Sequence, residues 1–264
     1  MNEEMELFSF IDSHAHYDDP SFNEDREELI ATLPQKGIIG VVNIASDQKS
    51  LAEVQRLADQ YDFFYCTQGI HPSDCGEAEE SVLEYMRESV KKNPKIVAIG
   101  EIGLDYHWKE PSPDLQKAWF AKQLELAREL GKPVVIHSRD AALDTIRILK
   151  ENHAEDVGGV IHCYSYKKEE VPGFLEMGFY FGIGGVATFK NAKKIKEALA
   201  VIPIDRIVLE TDSPYLSPEP FRGKRNDSTK LIYVAHALSQ IKQLSLSEIS
   251  EITTDNVKNL YRIK

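Results

Sequence analysis

His14 and His16 are one residue apart, behind a short apolar run of Leu7, Phe8, Phe10 and Ile11. Side chains alternate along extended backbone, so both imidazoles point to one side, a geometry that chelates a single ion. Neutral imidazole is the commonest protein ligand for borderline metals. The same chemistry recurs downstream. His71, Glu101, His137, His162 and Asp212 each stand at the end of a short apolar stretch that reads as a strand.

These residues need elements to carry them. Apolar stretches at 38–44, 63–69, 96–100, 133–136, 160–161, 179–181 and 206–209, with the leading run, give eight expected strands. Helical spacing fills most of the intervals, most clearly over 114–130, which Gly131 ends. Asp47 is a cap for the helix that follows it, and Ser245 and Ser247 are caps in the helical stretch from Leu231 onward. Eight β/α units in 264 residues predict an α/β chain folded as a (β/α)8 TIM barrel, one domain over 1–264. A doubly wound open sheet is the alternative, because periodicity does not show closure.

The barrel reading places His14, His16, His71, Glu101, His137, His162 and Asp212 on one face, at the carboxyl ends of the strands. Closure also sets strand 8 beside strand 1, so Asp212 becomes a neighbour of His14 and His16. The remaining histidines, His107, His153 and His236, fall in loop or helix patterns and are expected on the surface. One catalytic zinc needs three protein ligands and a water. The set here exceeds that, and suits two divalent ions with Glu101 between them. Asp212 could ligate an ion and take a proton from the water it activates.

Composition narrows the class. Hydrophobic residues make up 42% and charged residues 28% of the chain, which fits a globular protein with a large core. No apolar run approaches the roughly 18 residues of a membrane span, and Met1, Asn2, Glu3 and Glu4 carry acids where a signal peptide needs bases. A cytoplasmic location is expected. Cys66, Cys75 and Cys163 are odd in number, form no Cys-x-x-Cys pair, and are expected to be reduced. A formal net charge of −12 repels polyanions, so extended contact with duplex DNA is disfavoured.

The strings FIDSHAH, GIHP, IGEIGLDY, VIHSRDA, IHCYS, LETDSPYL and RGKRN occur in this order over almost the whole chain. Together they resemble the TatD family of metal-dependent deoxyribonucleases, within the amidohydrolase superfamily, and the resemblance implies a barrel of the metallo-dependent hydrolase type. The resemblance implies that His14, His16, Glu101, His137, His162 and Asp212 are divalent-metal ligands. It gives Glu101 the bridging place that a carbamylated lysine fills elsewhere in the superfamily. It also implies phosphodiester hydrolysis, typically 3′-to-5′ exonuclease action on DNA.

Several neighbours are read as substrate contacts. His71 is expected to touch a phosphate or a ligand, and Arg139 to grip a phosphate as a planar fork. Arg222, Lys224 and Arg225 form the basic cluster near the expected mouth. Asp12 either orients a ligand histidine or ends its strand. Lys190, Lys193, Lys194 and Lys196 read as a helix surface, and Cys163 as packing. Among Tyr106, Trp108, Tyr164 and Tyr215, one or two are expected to stack on bases. The expected substrate is a DNA end or short single strand, with no membrane and no obligate protein partner. A hydrolase of a small amide, lactone or phosphoester is the alternative, and a non-catalytic metal-stabilised binding protein is the third reading. The ions are Mg, Mn, Zn or Ni.

Overall fold

Eight parallel strands follow one another around a ring in chain order. They are β1 (Phe10–Ala15), β2 (Ile38–Asn43), β3 (Phe64–Gln68), β4 (Ile96–Asp105), β5 (Val134–Arg139), β6 (Gly159–Ile161), β7 (Tyr180–Ile183) and β8 (Ile207–Leu209). The computed structural model describes residues 8–264. Leu7 and the acidic stretch at 1–4, used above, lie outside them. The helices are α1 (Arg26–Thr32), α2 (Ser50–Gln60), α3 (Ser81–Lys92), α4 (Pro113–Leu130), α5 (Ala142–Glu151), α6 (Val171–Leu175), α7 (Lys193–Val201), α8 (Leu231–Lys242) and α9 (Leu246–Tyr261). This is the (β/α)8 barrel that the sequence predicts. No helix among the described residues is long and apolar enough to cross a membrane.

The ring closes just past the end of β8. The Asp212 amide donates to the His14 carbonyl at 2.9 Å, and the His16 amide to the Ser213 carbonyl at 2.8 Å. Buried Asp12 rivets this seam: its carboxylate accepts from the Thr211 amide at 3.0 Å, and from the Thr211 and Ser228 hydroxyls at 2.6 Å each. The β1–β2 register shifts between Asp12 and Ala15. Such an irregularity resets strict alternation. The Asp12 carboxylate thus reaches the seam while the His14 ring enters the cluster described below.

Local chemistry explains the element boundaries. Ser112 caps α4 through the Leu115 amide, proline occupies its first turn, and Gly131 ends it at φ 63°. Ser245 and Glu248 form a capping box on α9. Ser247 lies inside that helix rather than capping it. Strand β4 runs to Asp105, beyond the expected end at Gly100, because Ile102, Gly103 and Asp105 keep pairing with Ile136, His137 and Arg139. Gly103 permits this: its φ is 142°, and a β-carbon there would lie 2.0 Å from the His137 carbonyl oxygen. Glu101 and His137 therefore sit within paired strands, which hold them more rigidly than loop positions would.

The interior of the ring is dry at its lower end. Ile11, Val42, Val97, Val135, Val160 and Val208 form one cluster with Val257, Leu260 and Tyr261 of α9. Each fully buried aliphatic side chain contributes roughly 1.5–3 kcal/mol of transfer free energy. The Tyr261 hydroxyl donates to the Ser13 carbonyl at 3.0 Å, so the end of α9 packs into the barrel beneath the histidines.

Candidate metal centre

Glu101 is the hub of the upper layer. One of its carboxylate oxygens, Oε2, lies 3.4 Å from His14 Nε2 and 3.9 Å from His16 Nε2. The other, Oε1, lies 2.8 Å from His137 Nδ1, 3.5 Å from His162 Nε2 and 3.8 Å from His71 Nε2. Asp212 Oδ1 completes the first group at 3.7 Å from His14 and 3.4 Å from His16, whose Nε2 atoms are 3.2 Å apart. Four strands and the closing seam thus meet at one carboxylate that is 3% exposed.

The first group fits a divalent cation, and on the other side of the carboxylate His162 clusters with His14 and Glu101, and His137 with His71 and Glu101. Ligand bonds of 2.0–2.2 Å around a tetrahedral ion put its donors about 3.3–3.6 Å apart, and the five histidine-containing pairs of the first group span 3.2–3.9 Å. Tautomers agree. His16 Nδ1 lies 3.0 Å from the Ile44 carbonyl oxygen, which only accepts, so Nδ1 carries the proton and Nε2 offers a lone pair to the cluster. His137 has carboxylates at both ring nitrogens, Glu101 at Nδ1 and Asp105 Oδ2 at 3.2 Å from Nε2. A neutral ring satisfies one of them and leaves the other facing a lone pair, a conflict that a cation beside Glu101 removes.

His71 differs. Its Nδ1 accepts from the Ser73 amide at 3.1 Å, so in the neutral ring Nε2 is the N–H. Burial and the neighbouring His137 ring push its pKa down to about 3, keeping it neutral. Its ring lines the cavity with Nε2 toward Glu101, and His71, Glu101 and His137 lie close enough together to share an ion.

The electrostatics follow from burial and neighbours. Burial would raise Glu101, but the imidazoles of His162, His14 and His71 outweigh it and hold the carboxyl well below its usual range. Asp212 is lowered against burial by His16, His162 and His14. Burial would lower His16 and His162, yet Asp212 carries the first up to about 9, and Glu210 with Glu101 carries the second up to about 10. His14 is lowered by burial and by the stacked His162 ring, whose centroid is 3.6 Å away. Asp212 has a φ of 56°, an uncommon backbone state for a residue other than glycine.

Above the hub lies a cavity of 410 Å³ lined by His16, His71, Glu101, His137, His162 and Asp212, with Asp18, Asp19, Asp47, Asp74 and Tyr215 on its walls. Its lining among the described residues includes no lysine or arginine. The basic residues read as substrate contacts stand elsewhere. Arg225 grips Asp25 through both guanidinium ends, donates to the Ser21 carbonyl and lies over the Phe22 ring. Arg222 sits over Phe189. Lys224 and Arg139 are exposed, Arg139 at the end of β5. Of the four aromatics, Trp108 and Tyr215 are more than half exposed. Tyr106 is tied to Asp144, and Tyr164 to the Lys167 carbonyl. Asp12 touches the His14 amide rather than its ring. His107, His153 and His236 are exposed.

Two site residues escaped the sequence reading. Asp105 orients His137, and Glu210 lies 3.2 Å from His162 Nδ1. Both were signalled by period two: Glu210 precedes Asp212 by two residues, and Asp105 lies four beyond Glu101.

A (β/α)8 barrel whose strands converge imidazoles and carboxylates on one cavity defines a barrel hydrolase of the metal-dependent class. More narrowly, the chain belongs to the TatD related DNase family, whose pattern matches residues 11–262. It is 42% identical over 253 residues to the uncharacterized metal-dependent hydrolase YabD of Bacillus subtilis, covering 96% of this chain and 99% of that one. It is 33% identical over 256 residues to the uncharacterized metal-dependent hydrolase YcfH of Escherichia coli, covering 96% of each. The crystal structure of the TatD homolog YjjV from Escherichia coli superposes with a TM-score of 0.91 at 29% identity, covering 97% of this chain and 98% of that one.

Proposed function

We propose that this protein hydrolyses phosphodiester bonds at the ends of short single DNA strands, trimming them from the 3′ end with two divalent cations. The observation that carries the reading is the divided carboxylate of Glu101, with His14 and His16 at one oxygen and His137 and His162 at the other. His14, His16, Glu101 and Asp212 would hold one ion, and Glu101, His137 and His162 the second. When bound, such ions lower the pKa of a shared water toward neutrality and stabilise charge on the attacking and leaving oxygens.

The chain's own groups do the rest. Asp212 is ionised at neutral pH and lines the cavity, so it accepts the proton that the attacking water loses. His71, neutral with its proton on Nε2, donates a hydrogen bond to a non-bridging phosphate oxygen. Tyr215, exposed at the rim with its hydroxyl on Asp19 at 2.8 Å, offers a face on which a terminal base stacks. The acidic walls repel a long polyanion, which restricts entry to a chain end.

Those walls also favour a second reading, hydrolysis of a small amide, lactone or phosphoester that brings little negative charge. The test strips the protein with a chelator and adds back Mg, Mn, Zn or Ni separately. Each form meets single-stranded DNA labelled at the 3′ or 5′ end, alongside a panel of small esters, amides and lactones. Metal-restored loss of the 3′ label is expected. Turnover confined to the small-molecule panel would sink the phosphodiester assignment.

A further inference from the structure

Glu210 is an acidic residue buried beside the cavity rather than in it. It is 1% exposed and lies outside the cavity lining. Its Oε1 accepts from the Cys163 amide at 2.6 Å and stands 3.2 Å from His162 Nδ1. Its Oε2 has no hydrogen-bond partner, and neither has His162 Nδ1, because the short approach between ring and carboxylate is off the hydrogen-bond direction. The fold makes room for this carboxylate. A β-carbon on Gly182 would lie 2.1 Å from Oε2, so β7 gives up a side chain where β8 inserts an acid.

A buried carboxylate left half unpaired costs stability, which calls for a compensating role. The candidate is its neighbour. His162 is clamped on three sides: its ring stacks on His14 at 16°, its Nε2 faces Glu101, and its Nδ1 faces Glu210. Glu210 is the acceptor next to Nδ1 among the described residues, so a neutral His162 keeps its proton there and turns the Nε2 lone pair toward Glu101. Carboxylates set behind a ligand histidine in this way fix its tautomer and raise its basicity.

We infer that Glu210 is a positioning residue that fixes the tautomer of His162 and thereby sets the affinity of the cation shared by Glu101, His137 and His162, leaving the ion held by His14, His16 and Asp212 unaffected. The inference rests on the two-cation reading above. Glutamine is the informative substitution. It keeps the shape, but its amide presents an N–H as well as a carbonyl, so the ring is no longer held in one tautomer.

The test uses chelator-stripped full-length protein titrated with zinc against a chromophoric competitor, and long-range proton–nitrogen NMR of histidine-labelled, zinc-loaded protein. Wild type is expected to bind two equivalents, with His162 protonated on Nδ1. In Glu210→Gln one equivalent keeps its affinity and the other weakens by about 10- to 100-fold. Two unchanged affinities in a folded variant overturn the inference. Circular dichroism reports folding. If the variant does not fold, Glu210→Asp decides, its shorter side chain drawing the acid back from Nδ1: weakening of one equivalent alone supports the role, and two unchanged affinities overturn it. Wild type that binds fewer than two equivalents overturns the two-cation reading itself, a result distinct from an insensitive variant.

Discussion

The two halves of the metal centre are held by different means. On the β1 side, His16 is oriented by a main-chain carbonyl, and the buried His14 Nδ1 has no hydrogen-bond partner. On the β5–β6 side, His137 and His162 are backed by the side chains of Asp105 and Glu210. A main-chain partner has no charge to lose and cannot be substituted away, so it holds the neutral ring in one tautomer. Carboxylates add negative charge behind the ring and make it more basic. The first half is thus fixed by the fold, and the second by two acids that can be removed singly. Glu101 belongs to both.

That shared membership gives the largest expected effect. Glu101→Gln removes the charge between the halves, and metal analysis is expected to show loss from both together, with turnover lower by roughly a thousandfold or more, about 4 kcal/mol of barrier. A variant that loses one equivalent and keeps substantial activity would show that the halves work separately.

A break at the seam ranks next. Asp12→Ala strips the Thr211 amide and the Thr211 and Ser228 hydroxyls of a buried acceptor, a cost of about 3 kcal/mol or more. Thermal unfolding is expected roughly 10 °C lower. His14 and Asp212 flank this seam, so the residual folded protein should lose affinity for the first ion and keep the second. Equal weakening of both would mean that the seam supports the whole ring.

A smaller effect is expected from pH. In chelated protein His16 titrates near 9 and His162 near 10, above the unfolded value of about 6.5. A raised histidine stabilises fully below its unfolded pKa, and that contribution is lost as pH rises through the folded one. Chelated protein is therefore expected to lose melting temperature between about pH 6.5 and 10. Bound cations replace those protons, so loaded protein should hold its melting temperature over the same window. Parallel curves for the two forms would count against protons and cations sharing these nitrogens.

What the sequence disclosed follows the same division. His14, His16, Glu101, His137, His162 and Asp212 were legible because each follows or lies in an apolar stretch, and the expected barrel brings such positions to one face. The eight-strand ring was legible for the same reason. Asp105 and Glu210 were not read, since a carboxylate two or four residues from a ligand looks like any acid near a strand end until the neighbouring strand is in place. The reach of β4 to Asp105 was hidden because Gly103 ordinarily signals a break, whereas here it admits the His137 carbonyl. The basic string was read as a cluster near the mouth; its side chains stand outside the cavity lining. Periodicity carries no information about which carboxylate a loop arginine meets, and Arg225 meets Asp25 of the segment after β1.

That pairing yields the smallest expected effect and the control for the rest. Arg225 is about a third exposed and its partner somewhat more, so the ion pair is screened and is worth about 0.5 kcal/mol. The stacking over Phe22 adds a comparable amount. Arg225→Ala is therefore expected to lower the unfolding midpoint slightly, while kcat and KM on a labelled oligonucleotide stay within about twofold of wild type and both metal equivalents remain. A KM raised tenfold with stability unchanged would restore Arg225 as a substrate contact. It would also mean that the loop after β8 leaves Asp25 when a strand binds, making this edge of the mouth a moving part where the two metal halves are fixed ones.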